Sequence, residues 1–141
     1  MDTLFTFSNL LVMPFWLLMI VAPRWSWTER LMKSLWVVVP PAVLYGLLVL
    51  PQWPAVFGDL ANPALTAMMA LLGSPAGATI GWIHFLAFDL FVGRWAYLDS
   101  RERNYHPLLM APLLFAVLMV GPLGLLLYLA VRWVARPGNR P

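Results

Sequence analysis

The hydrophobic positions of this chain fall in long runs, which proline, glycine and charged residues interrupt. Four of the runs approach the roughly 20 residues that an α-helix needs to cross a hydrocarbon core of roughly 30 Å. They predict membrane-spanning helices over about 4–22, 34–50, 75–98 and 108–131, with one short helix over about 63–72. Barrel strands would instead give alternating segments of about ten residues. The predicted fold is an all-α integral membrane protein, a four-transmembrane-helix bundle with one additional short helix before the third span.

Proline and polar residues predict where these helices begin and bend. Bends are expected at the prolines inside the runs and at one glycine-proline pair, which are Pro14, Pro40, Pro41, Pro112 and Gly121-Pro122. Ser26 and Glu29 match a capping box for the second helix. Asn62-Pro63 and Ser74-Pro75 provide a cap and a first-turn residue for the short helix and the third span. Residues 52–61 are interpreted as a loop.

Composition agrees with a membrane protein and restricts its chemistry. The 141 residues are 62% hydrophobic and 11% charged, with a mean hydropathy of +0.78, and a chain of this length has room for one domain. No cysteine is present, which excludes disulfides, thiolate catalysis and cysteine metal sites. The net charge of +3 comes from bases near the ends of the apolar runs. Interfacial anchoring explains these bases, and no nucleic-acid partner is needed.

The positive charges also predict an orientation. Residues 24–33 and residues 94–103 hold three bases each, whereas residues 52–61 hold none. By the positive-inside rule the first two regions face the cytoplasm, which places both termini outside. Three arginines oppose this assignment, and they are Arg132, Arg136 and Arg140. The final six residues are interpreted as a frayed tail.

The third span carries three polar residues, His84, Asp89 and Arg94. An intramembrane aspartate costs roughly 2.5–3.5 kcal/mol on insertion scales, so Asp89 should face the bundle interior as a functional group. The alternative is a neutral carboxyl that bonds to a neighbouring helix. His84 can transfer a proton, ligate a cofactor or simply donate to a carbonyl, and Arg94 can reach the headgroups. At the end of the span, Asp99 and Arg103 have the i,i+4 spacing of a helix ion pair.

Helical geometry separates these side chains. His84 and Asp89 are about 140° apart around the helix axis, so they need not enter the same pocket. By depth, Asp89 lies near the midplane and His84 lies in the outer half of the membrane. Asn9 and Tyr45 are the partners expected there for His84, and Tyr128 approaches from the last span.

Several catalytic and binding motifs are excluded. His84 and His106 would lie about 33 Å apart along a continuous helix, so one subunit cannot place both on one haem or metal ion. The sequence contains no Walker loop, dinucleotide fingerprint, zinc-protease motif or nucleophile elbow. Gly73, Gly77 and Gly81 have the spacing that permits close helix packing. No metal site is predicted.

The third span and both ends of the chain resemble a known family. The longest matching run is Gly81-Trp82-Ile-His84-Phe-Leu-Ala-Phe-Asp89-Leu-Phe-Val-Gly93-Arg94-Trp95-Ala-Tyr-Leu-Asp99-Ser100-Arg101. Shorter matches are Asn9-Leu10 and Pro14-Phe-Trp16 near the start, and Gly121-Pro122-Leu-Gly124-Leu near the end. These motifs resemble the abscisic-acid-deficient-four-like membrane proteins, and the resemblance covers essentially the whole chain.

The resemblance implies carotenoid chemistry, because plant members of this family are needed for neoxanthin formation in plastids. Converting violaxanthin to neoxanthin opens an epoxide and forms an allene, which needs an acid near the epoxide oxygen and a base for a polyene-end proton. The implied function is a carotenoid-modifying protein of the epoxy-carotenoid isomerase type, or a carotenoid-binding protein, with a bound carotenoid as its ligand. The hypothesised catalytic residues are Asp89 and His84. The hypothesised substrate-binding residues are Asn9, Tyr45, Trp82, Arg94 and Trp95.

Two other functional classes stay open. One is a non-catalytic membrane scaffold or lipid-binding subunit, in which Asp89 and His84 hold helices together. The other is a small transporter, for which no inverted repeat is visible. The expected partners are the lipid bilayer, an apolar pigment or lipid ligand, and a second copy of the chain or another membrane protein. The expected location is a multi-pass position in a bacterial inner membrane or a photosynthetic-type membrane.

Overall fold

The apolar runs of the sequence form helices in the structure. The computed structural model describes residues 1–135, and at Ala55 the backbone alone. All regular structure in this part of the chain is helical, which confirms the predicted all-α class. The α-helices are α1 Asp2–Val21, α2 Ser26–Lys33, α3 Val39–Val49, α4 Trp53–Ala61, α5 Leu65–Gly73, α6 Pro75–Glu102, α7 Pro107–Val120 and α8 Pro122–Val134. Single 3₁₀ turns, Leu35–Val37 and Leu50–Gln52, flank α3. The tail prediction, with Arg136 and Arg140, lies outside the described residues.

Helix length separates two of these elements from the rest. Among the described residues, α1 and α6 are long and apolar enough to cross a membrane, by length and composition. They correspond to the first and third predicted spans. Shorter apolar helices of 10–17 residues are Val39–Gln52, which includes a 3₁₀ turn, and α7 and α8. The four-transmembrane-helix bundle therefore stays a prediction.

The last apolar run contains a break between α7 and α8. Gly121 ends α7 by donating its N–H to the Val117 carbonyl at 2.9 Å, and it has φ 33°, which disfavours residues with a side chain. Pro122 then occupies the first position of α8, where its missing N–H costs nothing. Gly124 packs directly against the α7 backbone at Val117. The run over 108–131 is thus irregular, as its glycine-proline pair predicts.

Local signals gave some helix starts correctly and others wrongly. The Ser74 hydroxyl accepts the Gly77 N–H at 3.0 Å, so the predicted cap of α6 is confirmed. The predicted capping box of α2 is wrong, because Trp25 is the N-cap and makes no side-chain cap bond. The predicted loop over 52–61 is also wrong, because Gln52 ends a 3₁₀ turn and the residues after it form α4. Pro54 suits the first turn of that helix, so a proline at this position does not indicate a loop.

The chain divides into two compact units, and each is described by itself. Unit 1 comprises residues 1–13 and 36–88, and unit 2 comprises residues 14–35 and the chain from Asp89 onward. The division falls within α1 and α6. The buried side chains of unit 1 include Val12 and Ile83, and the largest buried side chains of unit 2 are Trp16, Tyr97 and Tyr128.

Candidate functional site

Unit 1 contains a mainly apolar pocket of about 230 Å³. Helices α3, α4, α5 and α6 and the adjoining 3₁₀ turn supply its lining. The lining residues are Tyr45, Val49, Gln52, Val56, Leu60, Met68, Leu71, Leu72, Ser74, Ala76, Gly77, Ile80, Gly81, His84 and Phe85. Most are aliphatic, so the pocket favours an apolar ligand, while a few polar groups can orient it.

His84 and Tyr45 are the two titratable side chains in this lining. Their ring centroids are 5.3 Å apart, which confirms the predicted proximity of the two residues. The imidazole also lies 4.7 Å from the ring of Phe88 and 6.1 Å from the ring of Phe85. His84 is therefore held among aromatic rings at the edge of an apolar space.

Glycines bring α5 and α6 together beside the pocket. A Cβ built on Gly77 would overlap the Leu71 carbonyl, and a Cβ on Gly81 would lie 3.3 Å from Leu72 Cδ2. The Ser74 hydroxyl donates to the Leu71 carbonyl at 2.9 Å and thereby fixes the α5–α6 turn. The Gly77–Gly81 spacing thus permits close packing, whereas a Cβ built on Gly73 would have no neighbour within 4 Å.

Asn9 and Trp82 form a polar contact elsewhere in unit 1. The Trp82 indole donates to the Asn9 side-chain oxygen at 3.1 Å, and the Asn9 amide donates to the Phe5 carbonyl at 2.8 Å. The indole also stacks on Phe5, with ring centroids 5.3 Å apart. Both side chains are thus engaged with each other, and neither lines the pocket that contains His84.

Asp89 belongs to unit 2, whereas His84 belongs to unit 1. The Asp89 side chain is half-buried and lies against the α7–α8 turn, since a Cβ built on Gly121 would be 2.7 Å from its Oδ1. Within residues 1–135 its carboxylate has no side-chain hydrogen bond or ion pair. The two hypothesised catalytic residues therefore have separate surroundings, and their predicted roles stay predictions.

Arg94 has a well-defined structural contact. Its guanidinium donates to the carbonyl of Lys33 at 3.0 Å and to the carbonyl of Ser34 at 3.3 Å. These carbonyls belong to the C-terminal end of α2, which leaves its last acceptors without intrahelical donors. Arg94 therefore caps α2 from α6, and its contact with a substrate stays a prediction.

A cluster around Asp99 connects α6 to α8. The Tyr128 hydroxyl donates to Asp99 Oδ2, and Arg132 Nε donates to the same oxygen at 2.9 Å. Arg103 Nε donates to it at 2.8 Å, which confirms the predicted i,i+4 pair. Trp95 meets Tyr128 edge to face at 5.6 Å and lies 5.8 Å from the Arg132 guanidinium. We call these residues the Asp99 cluster.

Sequence reasoning found one part of the Asp99 cluster and missed the rest. Tyr128 was expected to approach His84, but its hydroxyl donates to Asp99 instead. The spacing of Tyr128 and Arg132 was the available signal, because residues four apart share one face of a helix. A hydroxyl and a guanidinium on one face of an apolar helix indicate a shared acidic partner.

Comparison with known proteins covers nearly all of the described chain. Residues 3–128 match the family model described as ABA DEFICIENT 4-like. The chain is 29% identical over 109 residues to Protein ABA DEFICIENT 4, chloroplastic, from Arabidopsis thaliana, covering 73% of the chain and 50% of that protein. It thus spans about half the length of the curated relative, and the match gives no support for a bacterial origin. No solved structure matches significantly. Because the family model covers residues 3–128 and with them every hypothesised site residue, the chain belongs to the ABA DEFICIENT 4-like family.

Proposed function

We propose that this chain is a multi-pass membrane protein that binds one cyclic end of a carotenoid in the α3–α6 pocket and modifies it as an epoxy-carotenoid isomerase. The observation that carries the proposal is an apolar pocket with His84 and Tyr45 in its lining. Family membership supports the carotenoid, because the plant members act in neoxanthin formation. We propose that this chain shares the activity of the plant members in neoxanthin formation.

Exposed apolar side chains support a position in the membrane. On α1 the side chains of Leu10, Leu17 and Val21 are exposed, and on α6 the rings of Phe85 and Phe88 are exposed as well. Large apolar side chains exposed in this number favour contact with a membrane or a protein partner. The proposal assigns it to lipid, with α7 and α8 as one irregular span. A second copy or another membrane protein would cover part of the same surface.

The size of the pocket supports binding of an end group. Pockets for drug-sized ligands are typically about 300–1,000 Å³, and this pocket has about 230 Å³. It can hold a ring with its oxygen substituents, while the polyene would extend into the lipid. The polar side chains of Gln52 and Ser74 add hydrogen-bonding groups to the lining.

The proposed reaction needs one acid and one base. The Tyr45 hydroxyl donates a proton to the epoxide oxygen as the carbon–oxygen bond breaks, and the His84 imidazole removes a proton from the polyene end as the allene forms. Transfer of that proton from His84 back to Tyr45 restores both groups. The product has the same atoms as the substrate, so the reaction needs no oxidant or reductant.

Asp89 is tested apart from the two pocket residues. It does not line the pocket, so the first catalytic pair is His84 and Tyr45. The hypothesis that Asp89 acts as an acid or base is tested beside this pair by Asp89→Asn, which keeps the shape of the side chain and removes its charge.

The test uses the purified full-length protein, violaxanthin in detergent, and pigment analysis by chromatography and absorption. Wild type should show three-banded polyene absorption and produce neoxanthin. His84→Gln and Tyr45→Phe should retain pigment but lose conversion, whereas His106→Gln should behave as wild type. Colourless wild-type protein would contradict the proposal. Bound pigment without conversion would reduce the function to carotenoid binding.

The second candidate is a non-catalytic scaffold or lipid-binding subunit. The observation favouring it is that polar side chains of unit 2 bond within the protein, as Arg94 does to the end of α2 and Asp99 does to three donors. In that case wild type would be colourless, and Asp89→Asn would lower thermal stability in detergent without changing any pigment.

A further inference from the structure

Helix α2 has one buried side and one exposed side. Thr28 and Met32 are fully buried, whereas Trp25 and Trp27 are 53% and 55% exposed. The helix begins at Ser26, shortly after α1 ends at Val21. A position at the end of an apolar helix corresponds to headgroup depth, where tryptophan is enriched. We call the exposed residues Arg24, Trp25, Trp27 and Arg30 the α2 surface.

The α2 surface carries positive charge that the protein does not compensate. The carboxylate of Glu29, the acidic residue of α2, forms ion pairs with Lys33 Nζ at 2.7 Å and with Arg101 Nη2 at 3.5 Å. Arg24 and Arg30 are both exposed, and neither has an ion-pair or hydrogen-bond partner among residues 1–135. Two arginines are therefore available to an external anion.

One of these arginines, Arg30, lies against an aromatic ring and beside a cavity. The Arg30 guanidinium lies 5.4 Å from the ring centroid of Trp27, an arrangement that orients the cation. A cavity of about 510 Å³ lies beside this pair, lined by Ser26, Trp27, Glu29, Arg30 and Lys33. This volume is in the range of small-molecule sites. Its hydroxyl, indole and guanidinium donors suit a phosphate group with a polar headgroup. The Glu29 carboxylate in the same lining is paired with Lys33.

Helix α6 fixes the frame of this surface. Arg94 donates to the carbonyls of Lys33 and Ser34 at one end of α2. The Tyr97 hydroxyl donates to the Pro23 carbonyl at 2.7 Å, and the Thr28 hydroxyl donates to the Ala22 carbonyl at 2.8 Å. Both ends of α2 are therefore tied, and a site whose frame is already ordered loses less entropy on binding.

The geometry points to a specific site for the phosphate-bearing headgroup of an anionic phospholipid on the α2 surface, with Arg24 and Arg30 as its charge partners. This inference rests on the membrane position proposed above and is independent of the carotenoid. A lipid is favoured over a free phosphate because exposed tryptophans flank the arginines, and these rings suit the boundary between headgroups and acyl chains.

The test measures binding of dioctanoyl phosphatidylglycerol and dioctanoyl phosphatidylcholine to the full-length protein in non-ionic detergent, by thermal shift. The test variant is the double substitution Arg24→Gln with Arg30→Gln. The control is Arg136→Gln with Arg140→Gln, which removes the same charge. Pigment retention is recorded in the same samples, so that failure of the carotenoid proposal and failure of this one are read separately.

We expect wild type to bind phosphatidylglycerol at least roughly tenfold more tightly than phosphatidylcholine, and this preference to weaken with salt. The affinity of the double variant for phosphatidylglycerol should fall roughly 10- to 30-fold, since each base near an anionic headgroup raises the affinity roughly fivefold. The control should keep its affinity. Equal binding of the two lipids, salt-independent binding, or an equal loss in the control would overturn the proposal. If inorganic phosphate competed at the same concentration as phosphatidylglycerol, the site would bind free phosphate and the lipid proposal would be wrong.

Discussion

The carboxylate of Asp89 on α6 lies against Gly121 in the turn between α7 and α8. A Cβ built on Gly121 would be 2.7 Å from Asp89 Oδ1, and Gly121 directly precedes Pro122, the first residue of α8. The half-buried carboxylate thus faces the point where α7 ends and α8 begins. This contact connects two of the sequence motifs that identify the family.

Substituting Gly121→Ala should destabilise the protein by about 1–3 kcal/mol. The residue has φ 33°, and the new methyl group would also overlap Asp89. Thermal or denaturant unfolding in detergent measures the loss. Adding Asp89→Ala should recover the part that comes from the overlap while leaving the backbone strain. A double-mutant cycle with a coupling energy below about 0.5 kcal/mol would show that the two residues do not interact.

Substituting Gly93→Ala should destabilise unit 2 by about 1–3 kcal/mol, as overpacking does. A Cβ at this position would overlap the indole of the buried Trp16. The matched control is Gly46→Ala on α3, because a Cβ there has no neighbour within 4 Å. Alanine should raise helix stability at that site by up to about 1 kcal/mol. Equal losses in both variants would refute the close contact with Trp16.

Substituting Asp99→Asn should cost about 1–2 kcal/mol, and Tyr128→Phe about 1 kcal/mol. Asparagine leaves Arg103 and Arg132 without their counter-charge, but both arginines are partly exposed, so solvent screening limits the cost. Glu102→Gln is the control, since it removes an acid from the same helix. Its effect should stay within about 0.5 kcal/mol. If both acid-to-amide changes had the same effect on unfolding, the Asp99 cluster would not stabilise the protein.

The pairing of Glu29 with Lys33 should make stability depend on pH. The hydrogen bond and charge of Lys33 lower the pKa of Glu29 below its ordinary value, and Arg101 adds to this effect. The stabilisation that the Glu29 carboxylate contributes is therefore complete above the ordinary pKa and is lost as pH falls through the lowered pKa. Near neutral pH the wild-type protein should have a higher melting temperature than Glu29→Gln, and the two melting temperatures should converge in strong acid. A difference that widens on acidification would have the wrong sign.

The sequence predicted the helices whose apolar runs are long and uninterrupted. Both ends of α1 and α6 lie within a few residues of the prediction, because hydrophobic length and a Ser-Pro start define them locally. The sequence misplaced α4, because a stretch this short and bounded by prolines is equally typical of a loop. Local propensity could not decide between these alternatives, which depend on packing within the unit.

Candidate site residues were predictable only in part. Depth in the membrane paired Tyr45 with His84 correctly, but it also paired Asn9 with His84, and Asn9 instead accepts from Trp82. Helical phase separated His84 from Asp89 on their helix. The same reasoning did not find the partners of Asp99 on α8 or the carbonyls that Arg94 caps. Those contacts join residues about 30 or more positions apart, so they follow from tertiary packing and not from any local pattern.

A side chain that fills the pocket without altering its titratable groups tests carotenoid binding there. Ala76 lines the pocket, whereas Ala78 on the same helix is exposed and lies outside the lining. Pigment retained per chain is measured by absorption for wild type, Ala76→Phe and Ala78→Phe after purification with violaxanthin. If the pocket receives the carotenoid, Ala76→Phe loses the pigment while Ala78→Phe retains it at the wild-type level. Full retention by a folded Ala76→Phe protein would contradict the claim that this pocket receives the carotenoid.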